Sequence, residues 1–304
     1  MRDIGNKRDE DQGFKMVIHD SSVLSMILKQ YIPEFRNMDI EDIKDCLNLT
    51  ENRDYVIGRD TEFPSKKEGP IRVDSIFDIK LPGGKDTSII VGIESQTRIG
   101  DRKRLLKRMC YYGCRIVSAQ KRVEFSNDSY EDMKDVICIW LLLNPTREFR
   151  NDVKRLTLKG GSILHDDMNG IEIDSLSVII VGLDYSDDAN SDVRFVSELF
   201  YPDLTDEQRF ELIEKNYNIR LSKSVLEGVD SVMSFGEESI RAERYEERME
   251  NDMKHAKSFA KPLYEYMMEK NLTLDQTLDH FNATGDFRDM LREEIEKYPS
   301  ETDN

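Results

Sequence analysis

Two strand-like segments joined by a Pro-Gly-Gly turn constrain the fold of this chain most strongly. The segments IRVDSIFDIKL (71–81) and TSIIVGIESQ (87–96) are rich in β-branched residues and flank the turn sequence LPGGKD. Such punctuation between two strand patterns is typical of an antiparallel hairpin. The second segment is apolar as far as Ile93 and then ends on the polar triplet ESQ (94–96). A buried carboxylate and amide need partners there, because burying them alone is costly.

Two further apolar segments predict the rest of a sheet. DVICIWLLLN (135–144) and SLSVIIVGLD (175–184) are nearly continuous apolar runs, which is typical of strands covered on both faces. The segment between the hairpin and the next strand has helical periodicity, so the sequence predicts an α/β fold with a mixed sheet flanked by helices. We divide the chain into a disordered N-terminus (1–12), an α/β core (13–185) and a helical C-terminal region (186–304).

The spacing of apolar residues also predicts individual helices. One helix is expected from Gly13 to about Pro33, and another follows a capping box formed by Thr205 and Gln208. A long charged helix is expected over 237–270. Its stripe of Met, Ala and Tyr predicts either a face packed within its own domain or a seam that joins two copies into a homodimer.

The composition of the chain indicates the cellular compartment in which the protein works. The longest apolar run has eight residues (136–143), whereas a membrane-spanning helix needs about 20. The first residues contain no apolar segment of the kind found in secretory signals. The four cysteines suggest a reducing environment rather than a disulfide framework. These features together predict a cytoplasmic protein that does not enter a membrane.

Charge is strongly segregated along the chain. The formal net charge is -17, yet residues 98–122 carry nine basic side chains and one acidic side chain. Arg98, Lys103 and Arg104 open this basic segment directly after the polar triplet, which indicates a helix that contacts nucleic-acid phosphates or, alternatively, a solvated helix face. Residues 184–214 carry ten acids and two arginines, a composition that also fits a protein-interaction segment.

The hairpin is expected to bring two carboxylates together. If it folds about its two glycines, paired residue numbers sum to roughly 167, so Asp74 lies opposite Ile93 and close to Glu94. Asp78 points to the same face but lies too near the turn to reach Glu94. Two neighbouring carboxylates repel each other, and a divalent cation is the natural counter-charge. Oxygen ligands without nearby His or Cys favour Mg²⁺ or Mn²⁺, which can activate water for phosphodiester hydrolysis.

These residues resemble a known family. VDSIFDIKLPGGKDTSIIVGIESQTR (73–98) resembles the Asp…Glu-x-Lys core of the PD-(D/E)xK nuclease superfamily, with Gln96 in place of Lys. That change resembles the branch of recombination-promoting nucleases (Rpn, YhgA-like), in which a helix bearing Arg-x-x-x-Tyr follows the hairpin. Arg108-Met-Cys-Tyr-Tyr112 matches this motif, and DQGFK (11–15) resembles the usual start of the family. The likeness covers roughly residues 11–185 and implies a restriction-endonuclease-like core.

The resemblance also implies roles for individual residues. Asp74 and Glu94 would bind the metal with the carbonyl of Ser95 as a third ligand, and Gln96 would orient water or hold the scissile phosphate. Arg108 and Tyr112 would contact phosphate or base from the helix. The acidic residue that often completes such sites from a helix has three candidates by position, which are Asp20, Glu34 and Glu62.

The leading expectation is therefore a metal-dependent DNA endonuclease associated with recombination or mobile elements. A catalytically inactive module that binds nucleic acid or protein through the same fold is the alternative, and the net negative charge favours it. Cys110 and Cys114 are spaced for one helix face, but without a third ligand nearby they indicate packing rather than a metal site.

Overall fold

The computed structural model describes residues 3–63, 71–82, 88–97, 100–126, 128–159, 172–186, 188–281 and 283–298. Seven strands lie in this part of the chain: β1 (Glu62–Phe63), β2 (Ile71–Arg72), β3 (Ser75–Lys80), β4 (Ser88–Gln96), β5 (Val136–Leu142), β6 (Asp152–Lys159) and β7 (Glu172–Gly182). Strands β3 to β7 form a mixed sheet in the order β3-β4-β5-β7-β6. The parallel strands β4, β5 and β7 occupy its centre, and antiparallel strands close both edges.

Helices account for most of the remaining described chain. They are α1 (Asp3–Ile18), α2 (Ser21–Tyr31), α3 (Ile40–Lys44), α4 (Arg102–Ala119), α5 (Ser191–Leu199), α6 (Asp206–Tyr217), α7 (Lys223–Lys270), α8 (Leu274–His280) and α9 (Gly285–Ile295). The predicted α/β class with a five-stranded mixed sheet and many helices is confirmed.

The central strand β5 is buried along its whole length, as its apolar sequence predicts. Alternate side chains serve the two faces of the sheet. Ile137 and Ile139 pack into a cluster with residues of α1, α2 and α5. Val136, Cys138 and Trp140 pack into a second cluster with Leu105, Met109 and Ile116 of α4. The basic helix α4 therefore lies on one face of the sheet, beside the end of the hairpin.

Several helix boundaries follow from local capping. The predicted capping box at α6 is confirmed: the Thr205 hydroxyl accepts from the backbone N–H of Gln208, and the Gln208 side chain accepts from the backbone N–H of Thr205. The prediction of a single helix from Gly13 is wrong, because helix α1 ends at Ile18 and a separate helix begins at Ser21. Asp20 caps the N-terminus of α2 by accepting from the backbone N–H groups of two residues that follow it.

The N-terminal helix begins earlier than the sequence indicated. Residues 1–12 were expected to be disordered, but α1 begins at Asp3. Charged residues such as Lys, Glu and Arg have good helix propensity, so they can extend a helix that is anchored by apolar residues further along. Phe14 and Val17 supply this anchor, since both are fully buried.

The chain divides into two compact units, residues 1–238 and 239–304. The first boundary predicted from the sequence, at residue 185, lies too early, because Val193, Phe195 and Val225 belong to the same apolar cluster as the sheet. The acidic segment therefore carries core residues as well as charge.

The second unit has an apolar cluster of its own. Ala256, Ala260 and Leu263 of α7 pack with residues of α8 and α9. This matches the interpretation of the stripe as a face packed within its own domain. A homodimer through these helices stays a prediction.

No helix in the described ranges is both long and apolar enough to cross a membrane. The loop of the hairpin, 83–87, lies outside the described residues, as does the segment 160–171.

Gly182 offers a direct test of the sheet's edge packing. A Cβ atom there would lie 1.7 Å from the backbone oxygen of Phe149, so Gly182→Ala forces the backbone to move. We expect the variant to lose about 3 kcal/mol or more of unfolding free energy, measured by denaturant titration. Gly92→Ala is the control, because its nearest obstacle is a flexible methyl of Ile116 at 3.1 Å. Equal losses in both variants would contradict this packing.

Candidate active site

The hairpin register places Asp74 opposite Glu94. Ser75 pairs with Ile93 and Ile76 with Gly92, so paired numbers sum to 168 rather than the expected 167. The backbone N–H of Asp74 donates to Oε1 of Glu94 at 3.0 Å. In return, the backbone N–H and the hydroxyl of Ser95 donate to Oδ2 of Asp74 at 2.9 and 3.2 Å. The two carboxylates are thus held together by interlocked backbone bonds.

Burial makes this pair electrostatically costly. Glu94 is only 3% exposed. Burial raises the pKa of Glu94 well above its ordinary value of 4.5, and the neighbouring Asp74 charge raises it further. Burial likewise raises the pKa of Asp74 to about 6, although the hydrogen bonds from Ser95 partly oppose this effect. Both carboxylates therefore lack sufficient compensation for their negative charge.

A third acidic residue acts on the pair from helix α1. The charge of Asp11 raises the pKa of both Asp74 and Glu94. Sequence reasoning assigned residues 1–12 to a disordered segment and so missed Asp11 as a site residue. A signal was present, because Asp11 opens the DQGFK segment that carried the family resemblance.

The three acids considered from the sequence serve elsewhere. Asp20 caps helix α2. Glu62 forms an ion pair with Arg72, and Glu34 is exposed in the 3₁₀ turn Pro33–Phe35. The negative charges that raise the pKa of the pair are those of Asp11 and, for Glu94, of Asp74.

The carbonyl of Ser95, which the resemblance implies as a third metal ligand, lies on the same side of strand β4 as Asp74. The carbonyl of Gln96 accepts from the backbone N–H of Leu143, on the β5 side of strand β4. Carbonyls alternate in direction along a strand, so the carbonyl of Ser95 faces the β3 side, where Asp74 lies. The same side receives the backbone N–H of Ser95.

Helix α4 places Arg108 beside the pair. Its Nη1 donates to Oε1 of Gln96 at 2.8 Å, and its Nη2 lies 3.8 Å from Oε2 of Glu94. The guanidinium carbon lies 5.2 Å from the ring centroid of Tyr112 and 5.0 Å from that of Trp140. Trp140 pairs in register with Glu94 on the neighbouring strand, and the sequence did not suggest that this residue lies beside the acid pair.

The start of helix α4 presents unpaired positive charge. Lys103, Arg104 and Lys107 are exposed, and within the described chain none of them forms an ion pair. Arg102 differs, because it lies 2.9 Å from Glu148. Arg98, which was also predicted to contact nucleic acid, lies outside the described residues.

Asp78 belongs to a separate network of ion pairs. Its carboxylate pairs with Arg59 and lies 3.1 Å from Nζ of Lys134, and both cations also contact Glu124. These partners hold the pKa of Asp78 below its ordinary value despite burial. Asp78 is therefore a structural residue, as its position near the turn suggested.

His19 supports the site from the opposite face of the sheet. This buried ring contacts the carbonyl of Val56 through Nδ1 at 2.8 Å and the hydroxyl of Ser75 through Nε2 at 3.2 Å. Because a carbonyl can only accept, Nδ1 carries the proton and Nε2 accepts from Ser75. This contact fixes the residue next to Asp74.

Cys110 and Cys114 do not pack as the sequence suggested. Both cysteines are exposed on helix α4. Their side chains face solvent because Met109 and Gly113, one position earlier in each turn, face the sheet. Neither cysteine contributes to the acid pair.

The donor set fits a hard divalent cation that keeps several water ligands. Among the described residues no three His, Cys, Asp or Glu side chains form a metal-binding group. Mg²⁺ commonly binds through only one or two carboxylates together with water and substrate phosphate. Two buried, undercompensated carboxylates and a carbonyl facing the same side match that requirement, whereas a zinc site would need nitrogen or sulfur ligands.

Comparison with protein-family models, with curated proteins and with solved structures finds no match for this chain. The function of the acid pair must therefore be argued from its own chemistry.

The raised pKa values predict an unusual pH dependence of stability. Between about pH 4 and pH 6 the folded protein keeps protons that the unfolded chain releases, so stability falls as pH rises. For Asp74 alone, raising the pKa to about 6 corresponds to at most about 3 kcal/mol. Glu94→Gln keeps the acceptor for the Asp74 N–H but removes the charge. We expect it to raise the melting temperature at about pH 8 without divalent cations, and to have little effect at about pH 4.

Glu131→Gln is the matched control, because this carboxylate is exposed. A loss of stability in Glu94→Gln at both pH values would show that the carboxylate is already well compensated.

Proposed function

We propose that this chain is a Mg²⁺- or Mn²⁺-dependent DNA endonuclease of the PD-(D/E)xK type, related to the recombination-promoting nucleases. The observation that carries the proposal is the buried pair of Asp74 and Glu94, whose negative charge is only partly compensated. Helix α4 begins beside this pair and exposes the cations Lys103, Arg104 and Lys107. A mixed sheet flanked by helices is consistent with a restriction-endonuclease-like core.

Asp74, Glu94 and the carbonyl of Ser95 would hold the cation. A cation bound there would lower the pKa of coordinated water and offset charge on the phosphate oxygens. The negative charge of Asp11 adds to the attraction for a cation, since it acts on both carboxylates. The interlocked hydrogen bonds hold the two carboxylates in place before a cation arrives, so little rearrangement is needed.

Gln96 would contact the scissile phosphate or the attacking water. Arg108 holds the amide oxygen of Gln96, which directs the amide nitrogen away from the guanidinium. An amide nitrogen can donate to a phosphate oxygen but carries no positive charge, so Gln96 cannot replace a lysine electrostatically. Arg108 can supply the missing charge, because a guanidinium binds phosphate through two parallel donors.

Helix α4 would carry the DNA backbone into the site. Lys103, Arg104 and Lys107 present exposed positive charge on the helix that also bears Arg108 and Tyr112. Local positive charge matters more than the net charge of -17 for a contact within a Debye length, which is about 8 Å at physiological salt.

A cleavage assay tests the proposal. We expect the protein to nick or cut supercoiled plasmid DNA with Mg²⁺ or Mn²⁺, and Asp74→Ala and Glu94→Ala each to reduce the rate at least about a hundredfold. Glu34→Ala is the control, because it removes an exposed carboxylate that was an alternative site residue. Equal activity in all four proteins would point to a contaminating nuclease and contradict the assignment.

The second candidate is a module with the same fold that binds DNA or protein without cleavage. The net charge of -17 favours it, because most of the surface repels nucleic acid. This candidate predicts intact DNA binding with no cleavage under either metal.

DNA binding gives a separate prediction for helix α4. We expect the triple substitution of Lys103, Arg104 and Lys107 by alanine to make the plot of log K for DNA binding against log salt concentration less steep, by up to about three units of slope. The reason is that binding releases about one counterion for each phosphate contact, so each contact that is lost removes about one released counterion. The measurement is fluorescence anisotropy of a labelled duplex in EDTA.

Alanine at the exposed lysines Lys215, Lys223 and Lys257 makes the same change in net charge away from α4. A similar decrease in the steepness of the salt dependence in both triple variants would indicate that DNA binding depends on the net charge of the protein and not on helix α4.

A further inference from the structure

Arg108 makes an unusual set of contacts for a nucleic-acid-binding arginine. Its side chain is 40% exposed, yet its guanidinium is fixed on three sides: by the Gln96 oxygen at 2.8 Å, by Glu94 at 3.8 Å and by the rings of Tyr112 and Trp140. Its Nε is buried without a hydrogen-bond partner among the described residues. The guanidinium thus lies against the acid pair although part of the side chain stays exposed.

Arg108 partly compensates the negative charge of Asp74 and Glu94. Its positive charge lowers the pKa of both Asp74 and Glu94, against burial and mutual repulsion, which raise them. The distance of 3.8 Å to Glu94 is at the long end of an ion pair, and no direct hydrogen bond links the two side chains. An ion pair of this length without a direct hydrogen bond is weaker than a hydrogen-bonded one, so a divalent cation at the same carboxylate can compete with it.

We propose that Arg108 is the resident counter-charge of the acid pair, and that a divalent cation bound by Asp74 and Glu94 releases it from Glu94. The inference rests on the cation site of the proposed function and adds a sequence of events to it. Arg108 would neutralise the pair while the site is empty and become available to a phosphate oxygen once the cation is bound. The enzyme would thereby bind its substrate phosphate most strongly in the cation-loaded state.

Competition between the two positive charges follows from this arrangement. A guanidinium and a divalent cation near the same carboxylate repel each other, so each weakens the binding of the other at Glu94. This coupling between cation binding and the Arg108–Glu94 contact is reciprocal. If the cation weakens the contact, then the charge of Arg108 weakens cation binding to the same extent. Removing the charge should therefore tighten cation binding, although it removes a phosphate contact.

Trp140 provides a reporter that is independent of catalysis. It is the single tryptophan of the chain, and the guanidinium of Arg108 lies over its ring at 5.0 Å. Movement of this positive charge away from the indole alters the local field, so tryptophan emission should change when the cation binds.

The test combines tryptophan emission with isothermal titration calorimetry of Mg²⁺ binding, at constant ionic strength and without DNA. We expect the wild type to show a saturable change in emission with the same midpoint as calorimetric binding. Arg108→Met keeps an apolar stem against the two rings, and we expect it to bind Mg²⁺ roughly tenfold more tightly and to lose the emission change.

Two variants control for other effects of the substitution. Arg108→Lys keeps the charge, so its Mg²⁺ affinity should stay near that of the wild type. Arg104→Met makes the same change in net charge one turn away, at an exposed position, and should alter Mg²⁺ affinity by less than about twofold.

The outcomes separate this inference from the proposed function. If calorimetry shows Mg²⁺ binding, either of two results overturns the inference and leaves the cation site standing. One is that Arg108→Met binds Mg²⁺ no more tightly than Arg104→Met, and the other is that the tryptophan emission of the wild type does not change on binding. Absence of Mg²⁺ binding in every protein overturns both. Because the wild-type emission titration needs no variant, the inference can fail even if Arg108→Met does not fold.

Discussion

The burial of two like charges at the end of a central strand is the constraint on which the rest of this structure depends. Strand β4 carries Glu94 into a position that is only 3% exposed, and the register with β3 places Asp74 directly opposite. Repulsion between them opposes folding, yet each carboxylate is tied to the backbone beside the other. The apolar strand, the hairpin and the covering helix all serve to hold this unfavourable pair in place.

Such an arrangement is expected where function takes precedence over stability. Carboxylates that merely stabilise a fold gain partners, as Asp78 does with Arg59 and Lys134. Asp74 and Glu94 instead have raised pKa values, with a partly exposed arginine as their counter-charge. The contrast between these two acidic sites of one hairpin supports the proposal of a cation at the first, whereas the second is paired by cations of the chain itself.

Local sequence signals predicted much of the hairpin and the sheet because their causes are local. Alternation of side chains and the Pro-Gly-Gly turn gave the pairing of Asp74 with Glu94 to within one residue. The capping box at Thr205 likewise depends on residues within one turn of a helix. At these two places the structure agrees with the prediction, whereas the local N-cap at Asp20 was missed and a single helix was predicted where α1 and α2 are separate.

The remaining features depend on contacts between distant parts of the chain. Asp11 acts on the acid pair only because α1 folds against the sheet. The charged residues around it have good helix propensity, but they carry no apolar periodicity that would predict a helix start at Asp3. The packing of Val193 and Val225 with the sheet core, which moves the first unit's boundary to residue 238, is also non-local. The environment of Trp140 arises in the same way, from a strand and a helix brought together by folding.

Anomalous diffraction from crystals grown with Mn²⁺ tests the central claim most directly, because it locates the cation without relying on activity. The account predicts an anomalous peak between the side chains of Asp74 and Glu94. A fully occupied Mn²⁺ elsewhere in the molecule, with no peak at these two carboxylates, would contradict it.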